Sequence, residues 1–219
     1  MYKSQIKNIH HKANSTMQPG KPQILTCPYC GKEKEIMSLM SGNTCGSMLW
    51  SDNKQIAPMM PEISYVQKCP HCGKYYIRNR QAIRYATEGF SFERGTLTFT
   101  EMKDAFAQLS AEGFNNCNEE QTVRMMLHHA FNDHYHRTGN PKPFDEAEKA
   151  LFHDNAIWLI DNFITDNLLK AEFYRETGEM EKARQLLSTV AISDGFMQGI
   201  RQSIAQRIDS GDTAVFLIR

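Results

Sequence analysis

The chain has 219 residues, of which 41% are hydrophobic and 23% are charged, and its formal net charge at pH 7 is zero. This length accommodates one large domain or two small ones, and the composition is ordinary for a soluble globular protein. No stretch of 18 apolar residues occurs in the sequence, so we expect no membrane-spanning helix.

Residues 1–22 form a polar segment that contains Pro19, Gly20 and Pro22. Because this segment lacks the apolar region of a secretory signal, we expect a flexible lead and a cytoplasmic protein. We place the first ordered element directly after it, at residue 23.

The zero net charge hides an asymmetry along the chain. Residues 1–87 contain 12 Lys and Arg against 4 Asp and Glu, a net charge of +8, whereas residues 88–219 contain 13 against 21, a net charge of −8. Two interpretations follow: the basic part contacts a polyanion, or the two parts attract each other.

Four of the six cysteines form two similar pairs, in the segments CPYCGK and CPHCGK. Two residues between the cysteines let both sulfurs approach one ion from a single tight turn, and the following glycine supplies the positive φ of that turn. Two such turns offer four thiolates, which form a closed tetrahedral shell for one structural Zn²⁺. The predicted ligands are Cys27, Cys30, Cys69 and Cys72.

Other interpretations of the cysteine pairs stay open. An iron site uses the same four sulfurs, a redox pair normally occurs once and at the start of a helix, and disulfides need an oxidising compartment. His71 lies between two predicted ligands, but with four cysteines available we expect it on the surface. The leftover Cys45 and Cys117 are predicted to be buried or half-buried free thiols.

A long loop separates the two cysteine pairs. Strand-like segments at 34–40 and 62–68 flank it, and residues 41–62 are rich in turn-forming residues. This loop also contains the apolar residues Met48, Leu49, Trp50, Met59 and Met60. Either these side chains cap the zinc site and supply the core that a small ribbon lacks, or they present an adaptable patch to a partner.

A basic stretch at 68–84 follows, and no acidic residue occurs from Ile63 to Thr87. Basic side chains among aromatic residues bind phosphates and stack on bases. The candidate nucleic-acid contacts are Lys74, Arg78, Arg80 and Arg84. The alternative is that this stretch forms the closing strand of the ribbon, with Tyr75 and Tyr76 as packing residues.

From about residue 97, capping signals predict a helical region. Thr98 is followed by Glu101, and Asp145 by Glu148, which is the capping-box pattern at a helix N-terminus. We predict helices near 99–111, 119–137, 146–163, 165–177, 179–191 and 195–209. The apolar segment 213–218 is predicted to be a strand or an extended docking segment.

A histidine-rich stretch in the second predicted helix is a candidate for a second metal site. His129, Asp133 and His136 lie at i, i+4 and i+7, a spacing that places side chains on one helix face. At about 100° per residue this face lies away from the apolar face of the same helix. We therefore predict a solvated face rather than a second metal site.

The segment AEFYRETGEMEKARQLL, within residues 164–195, carries small, aromatic and turn residues at regular positions. This pattern resembles one tetratricopeptide repeat, although Asn167 and Lys170 stand at its usual Trp and Leu positions. The resemblance implies a helix–turn–helix that stacks on neighbouring helices, binds peptides or proteins, and supplies no catalytic residues.

Together, the two cysteine segments and the repeat resemble a group of uncharacterised bacterial proteins with an N-terminal zinc ribbon and a C-terminal tetratricopeptide-like region. The resemblance implies an architecture and no activity. We expect an α+β protein with a lead at 1–22, a zinc ribbon at 23–87 and a mainly helical domain at 88–219.

The leading functional hypothesis is a non-enzymatic cytoplasmic adaptor that holds a protein partner. The alternative is a nucleic-acid-associated regulatory protein whose zinc ribbon makes the contact. A hydrolase that uses the histidines is a third hypothesis, but the sequence shows no paired nucleophile and base for it.

Overall fold

A computed structural model describes residues 17–140 and 142–218 of the chain. The predicted lead at 1–22 lies outside the described residues as far as residue 16, and its last part contains a short strand. Small sheets in the N-terminal half precede a helical C-terminal part, so the predicted α+β layout is confirmed.

Ten short strands occur within the described residues. They are β1 Gln18–Pro19, β2 Gln23–Thr26, β3 Glu33–Ile36, β4 Leu39–Ser41, β5 Met48–Trp50, β6 Gln55–Ile56, β7 Val66–Lys68, β8 Tyr75–Ile77, β9 Arg84–Tyr85 and β10 Leu217–Ile218. All pairings are antiparallel, in the orders β1-β4, β3-β2-β9, β7-β8 and β10-β5-β6. The hairpins β2–β3 and β7–β8 each carry one cysteine pair in their turn.

Six helices follow within the described residues, close to their predicted positions. They are α1 Phe99–Glu112, α2 Cys117–Thr138, α3 Glu146–Asn162, α4 Asn167–Glu176, α5 Met180–Ser188 and α6 Gly195–Ser210. The capping boxes at Thr98 and Asp145 are both formed. The predicted start of α2 is wrong by two residues, because the side chain of Asn116 accepts the amide of Glu119 and caps the helix.

The largest core lies between the second cysteine hairpin and the first two helices. Val66 and Ile77 of that hairpin pack in one buried cluster with Leu109 of α1 and with Leu127 and Phe131 of α2. Burying one such side chain contributes roughly 1.5–3 kcal/mol, more than the roughly 0–1 kcal/mol of a surface ion pair. Side chains on both sides of the predicted boundary at residue 87 therefore share one core.

Two smaller cores hold the remaining helices together. Ala171 of α4 and Ala183 of α5 are fully buried in a cluster with Ile204 and Ile208 of α6. Leu159 of α3 belongs to a separate cluster with residues of α4. No helix in the described part of the chain is both long enough and apolar enough to cross a membrane.

The long loop between the cysteine pairs folds into its own hairpin, β5–β6. Strand β10 extends this hairpin, with Leu217 opposite Trp50 and Ile218 opposite Leu49, so the predicted C-terminal strand is confirmed. The expectation that the loop caps the metal ligands is wrong, since the core beside the cysteines contains no residue of 41–62. Instead, the ring of Trp50 packs edge-on against His136 of α2, with ring centroids 5.0 Å apart.

Candidate metal centre and buried polar cluster

The two cysteine turns have the same backbone geometry. The amide of Cys27 donates to the carbonyl of Lys32 over 2.8 Å, and the amide of Cys69 donates to Lys74 over 2.8 Å. The glycines after each pair, Gly31 and Gly73, have φ values of 70° and 74°. A Cβ at either position would meet no atom within 4 Å, so the requirement for glycine comes from the left-handed backbone and not from a lack of space.

The four predicted ligands meet at one point. Their sulfur atoms all lie within 4.8 Å of one another, so the four cysteines can hold a metal ion. The Sγ atoms of Cys27 and Cys72 are 3.6 Å apart, as are those of Cys30 and Cys69. Each short distance joins a buried sulfur of one turn to an exposed sulfur of the other, so the cysteine turns interlock.

The pKa values of Cys69 and Cys30 shift in opposite directions. Burial acts to raise the pKa of Cys69, but the amides of Cys72 and His71 and the neighbouring thiols lower it to about 6. The amide of Lys32 acts to lower the pKa of Cys30, but desolvation and the surrounding thiols raise it to about 12. A bound metal ion supplies the positive charge that deprotonates coordinating thiols.

The first cysteine turn is attached to α1 by a polar contact. The hydroxyl of Tyr29 donates to Glu112 Oε2 over 2.5 Å, and Gln108 Nε2 donates to that hydroxyl and to the carbonyl of Tyr75. Desolvation and the Glu112 carboxylate raise the pKa of Tyr29 to about 12. The helix end therefore holds both cysteine hairpins in place.

The four candidate nucleic-acid contacts occupy different environments. Lys74 is exposed beside the second cysteine turn and Arg78 is half-buried. Arg80 donates to both oxygens of the Glu119 carboxylate at 2.7–3.2 Å, and Arg84 lies 2.7 Å from Glu33. Two of the four guanidinium or ammonium groups thus already have a carboxylate partner, and contact with nucleic acid stays a prediction.

The tyrosines of the basic stretch are packing residues. Tyr75 and Tyr76 are both buried, the first in the core shared with α1 and the second beside the cysteine ligands. This agrees with the closing-strand interpretation of 75–77, which forms β8.

A buried polar cluster lies where the β5–β6 hairpin meets α2. The prediction of a solvated helix face is wrong, because the hairpin covers this face, burying His136 and leaving Asp133 half-buried. Asn132 Nδ2 donates to Asp52 Oδ2 over 3.1 Å and to Glu176 Oε2 over 2.9 Å. The amide group thereby joins the hairpin to α4.

His136 lies between two carboxylates. Its Nε2 donates to Asp52 Oδ2 over 2.9 Å and its Nδ1 to Asp133 Oδ1 over 3.2 Å, so both ring nitrogens carry a proton. Burial acts to lower the pKa of His136, but the two carboxylates raise it. Lys54 donates to Asp133 over 2.7 Å, so two cations balance two anions in this part of the cluster.

His128 forms a second, neutral part of the cluster. Its ring is stacked between Phe152 and Phe173, with centroid distances of 5.0 and 4.1 Å. Its Nε2 lies 2.9 Å from Glu176 Oε2. Burial lowers the pKa of His128 to about 4 and raises the pKa of Glu176 well above its usual range, so burial favours the neutral form of each group.

The sequence contained only an indirect signal for this cluster. His128 lies next to His129, and adjacent helical residues point about 100° apart, so the two rings meet different neighbours. The acidic partner Asp52 lies 84 residues before His136, beyond the range of any helix-face pattern.

The described residues thus combine an N-terminal β region that carries four clustered cysteines with a C-terminal helical region. The buried polar cluster connects the two. A comparison of the chain with models of known protein families, with curated proteins and with solved structures finds no significant match in any of the three.

Proposed function

We propose that the chain is a non-enzymatic zinc protein of the cytoplasm that acts as an adaptor for a protein partner. The observation that carries this proposal is the convergence of four sulfurs within 4.8 Å. A tetrahedron with Zn–S bonds of about 2.3 Å has sulfurs about 3.8 Å apart, and the two measured separations of 3.6 Å are close to this value.

A zinc ion at this point would crosslink the two cysteine hairpins. Cys27 and Cys30 would hold it from the first turn, and Cys69 and Cys72 from the second. Four protein ligands complete the tetrahedral shell, which leaves no position for a reactive water. The role that fits is structural, since the core beside the ligands is small and metal binding replaces hydrophobic burial in such ribbons.

The helical part supports the interaction role. Helices α4 and α5 form a hairpin whose turn contains Gly178 at a φ of 82°. Ala171 and Ala183 are fully buried where the two helices approach each other, as in the tetratricopeptide-like pattern. Stacks of such hairpins bind peptides and proteins along an exposed face. The expected burial of Cys45 and Cys117 is wrong, since both are exposed free thiols, and free thiols suit a reducing compartment.

Two measurements test the proposal. Elemental analysis of the purified protein should find one zinc per chain, and iron in its place would contradict the assignment of the metal. Affinity capture from native cytosol should retain the same protein partner with and without nuclease. Loss of the partner after nuclease treatment would favour the nucleic-acid alternative.

The nucleic-acid alternative has its own supporting observation. Tyr85, Phe90 and Phe92 are 55%, 65% and 71% exposed, and they follow the basic stretch directly. Exposed aromatic rings beside cationic side chains are typical of single-strand binding surfaces.

Reversing two exposed charges separates the alternatives. Lys74→Glu combined with Arg84→Glu should weaken retention of a single-stranded RNA or DNA oligomer if the alternative is right, and each lost phosphate contact should reduce the salt slope by about 0.7. Arg80 is left intact because it holds Glu119. Lys182→Glu with Arg184→Glu, both exposed on α5, serves as the control, and equal retention by both double variants would rule the alternative out.

A further inference from the structure

A cleft of about 440 Å³ lies between the β5–β6 hairpin, the segment 94–97 and α2. Its apolar walls are formed by Met48, Ile56, Met60, Leu97, Met102 and Met126. The volume is within the range of about 300–1,000 Å³ that is typical of small-molecule sites. Four of these six named side chains are methionines, which adapt to ligands of irregular shape.

Cations outnumber anions around this cleft. Lys54, Arg94 and Arg137 line it together with the carboxylates of Asp133 and Glu62. Lys54 is bound to Asp133, and Arg137 lies 3.6 Å from the same carboxylate. Among the described residues Arg94 has no carboxylate within ion-pair distance. Arg137 shares the Asp133 carboxylate with Lys54, so both arginines retain N–H donors for a ligand anion.

His129 adds a hydrogen-bonding group of defined tautomer to the cleft. Its Nε2 lies 3.2 Å from the backbone carbonyl oxygen of Asp52, which can only accept, so this nitrogen carries the proton. Burial lowers the pKa of His129 to about 4, so the ring is neutral at pH 7. Its Nδ1 then has a lone pair and no hydrogen-bond donor among the described residues.

We propose that this cleft binds a small amphipathic carboxylate, with its apolar part against the methionines and its carboxylate held by Arg94 and Arg137. The guanidinium group suits this role because its paired N–H donors match the two carboxylate oxygens. A hydroxyl or amide N–H near the carboxylate of the ligand would donate to His129 Nδ1. This proposal goes beyond the adaptor role and does not depend on the metal site.

The buried polar cluster borders the cleft, so a bound ligand should affect the hydrogen bonds and ion pairs of the cluster. His136 and Asp133 line the cleft and also hold the β5–β6 hairpin against α2 through Asp52. A ligand anion near Arg137 competes with Asp133 for that guanidinium group. Binding should therefore change the environment of His136 as well as that of the methionine methyl groups.

Calorimetric titration of the full chain with decanoate tests the proposal, with decanol and decylamine as neutral and cationic probes of the same length. Decanoate should bind saturably at one site per chain, and at least tenfold more tightly than decanol or decylamine. The methyl NMR signals of the cleft methionines should shift on addition of decanoate. Equal affinity for the three probes, or no binding of decanoate, would overturn the proposal.

Variants locate the site on the protein. Arg94→Gln with Arg137→Gln should weaken decanoate binding at least tenfold while leaving the thermal unfolding temperature unchanged, because both arginines are exposed. Arg184→Gln, on α5 outside the cleft, is the matched control and should bind as wild type does. Decanoate binding that survives the double substitution would place the carboxylate elsewhere and refute the assignment.

Discussion

At the scale of single residues, His136 is held by hydrogen bonds at both of its ring nitrogens. Two carboxylates accept its two N–H groups, and the carboxylates are themselves fixed by Lys54 and Asn132. An imidazolium with this many partners stabilises the fold only while it keeps its proton. The stability of the hairpin–helix contact is therefore coupled to pH.

The sign of this coupling follows from the pKa shifts. The pKa of His136 is raised in the folded state, so its contribution is complete below the unfolded value of about 6.5 and is lost as pH rises through the folded pKa. Burial acts to raise the pKa of Asp133, but His136 and Lys54 lower it to about 2. The stabilisation from the ionised Asp133 carboxylate is therefore present above the unfolded pKa of about 3.8 and is lost as pH falls. The pKa of Asp52 is lowered in the same sense, because the hydrogen bond from His136 outweighs burial.

We predict that His136→Gln lowers the free energy of unfolding by about 3–5 kcal/mol near pH 6, because it leaves buried carboxylates without their cation. The loss should shrink as pH rises through the folded pKa of His136. Urea unfolding of the wild type and of His136→Gln across pH measures the difference in their free energies of unfolding. Protonation of His128, His129 and Glu176 affects both proteins alike and so cancels in this difference. The control His153→Gln replaces a half-buried histidine outside the cluster and should change stability by less than about 0.5 kcal/mol. A difference that does not vary with pH would contradict the prediction.

At the scale of elements, the α4–α5 hairpin depends on small residues at its contact. Ala183 is fully buried against α4, and a larger or charged side chain there would separate the two helices. Exposed positions on the same helix, such as Gln185, have no such constraint.

We predict that Ala183→Asp lowers the free energy of unfolding by at least about 3 kcal/mol, because it buries a charge without a partner and overfills the contact. Gln185→Asp on the exposed face of α5 should change stability by less than about 0.5 kcal/mol. Denaturant unfolding measures both. A stable Ala183→Asp protein would argue against the tetratricopeptide-like packing.

At the scale of the whole molecule, part of the charge asymmetry is neutralised by ion pairs inside the protein. Lys54, Lys68 and Arg80 of the basic part bind Asp133, Glu101 and Glu119 of the acidic part. This agrees with the interpretation that the two parts attract each other. The shared hydrophobic core between the second cysteine hairpin and helices α1 and α2 also holds the two parts together.

We predict that Cys27→Ser or Cys72→Ser releases the metal, lowers the unfolding temperature by at least about 5 °C and retains most of the helical signal. The loss of stability extends to α1 and α2 because their core includes residues of the second cysteine hairpin. The core of α4–α6 includes none of that hairpin's residues. Elemental analysis and far-UV circular dichroism measure the two effects. Cys117→Ser, at an exposed cysteine outside the site, should leave both unchanged, and complete loss of helical signal in the ligand variants would show that the two parts fold only together.

Local signals determined much of the molecule. The spacing of Cys27 and Cys30, repeated at 69 and 72, was sufficient to predict one four-sulfur site, because two residues between ligands define a turn by themselves. The capping residues Thr98 and Asp145 located helix starts for the same reason, since a capping box spans only four residues.

Tertiary structure alone decided what covers each surface. A helix-face pattern places His129, Asp133 and His136 together, but it cannot show that a hairpin from 80 residues earlier lies over them. Asp52 and His136 acquire their partners only when β5–β6 packs on α2, and Lys68 finds Glu101 only when the shared core has formed. Burial and ion pairing at these positions depend on contacts between distant parts of the chain, and those contacts form only once the elements have packed together.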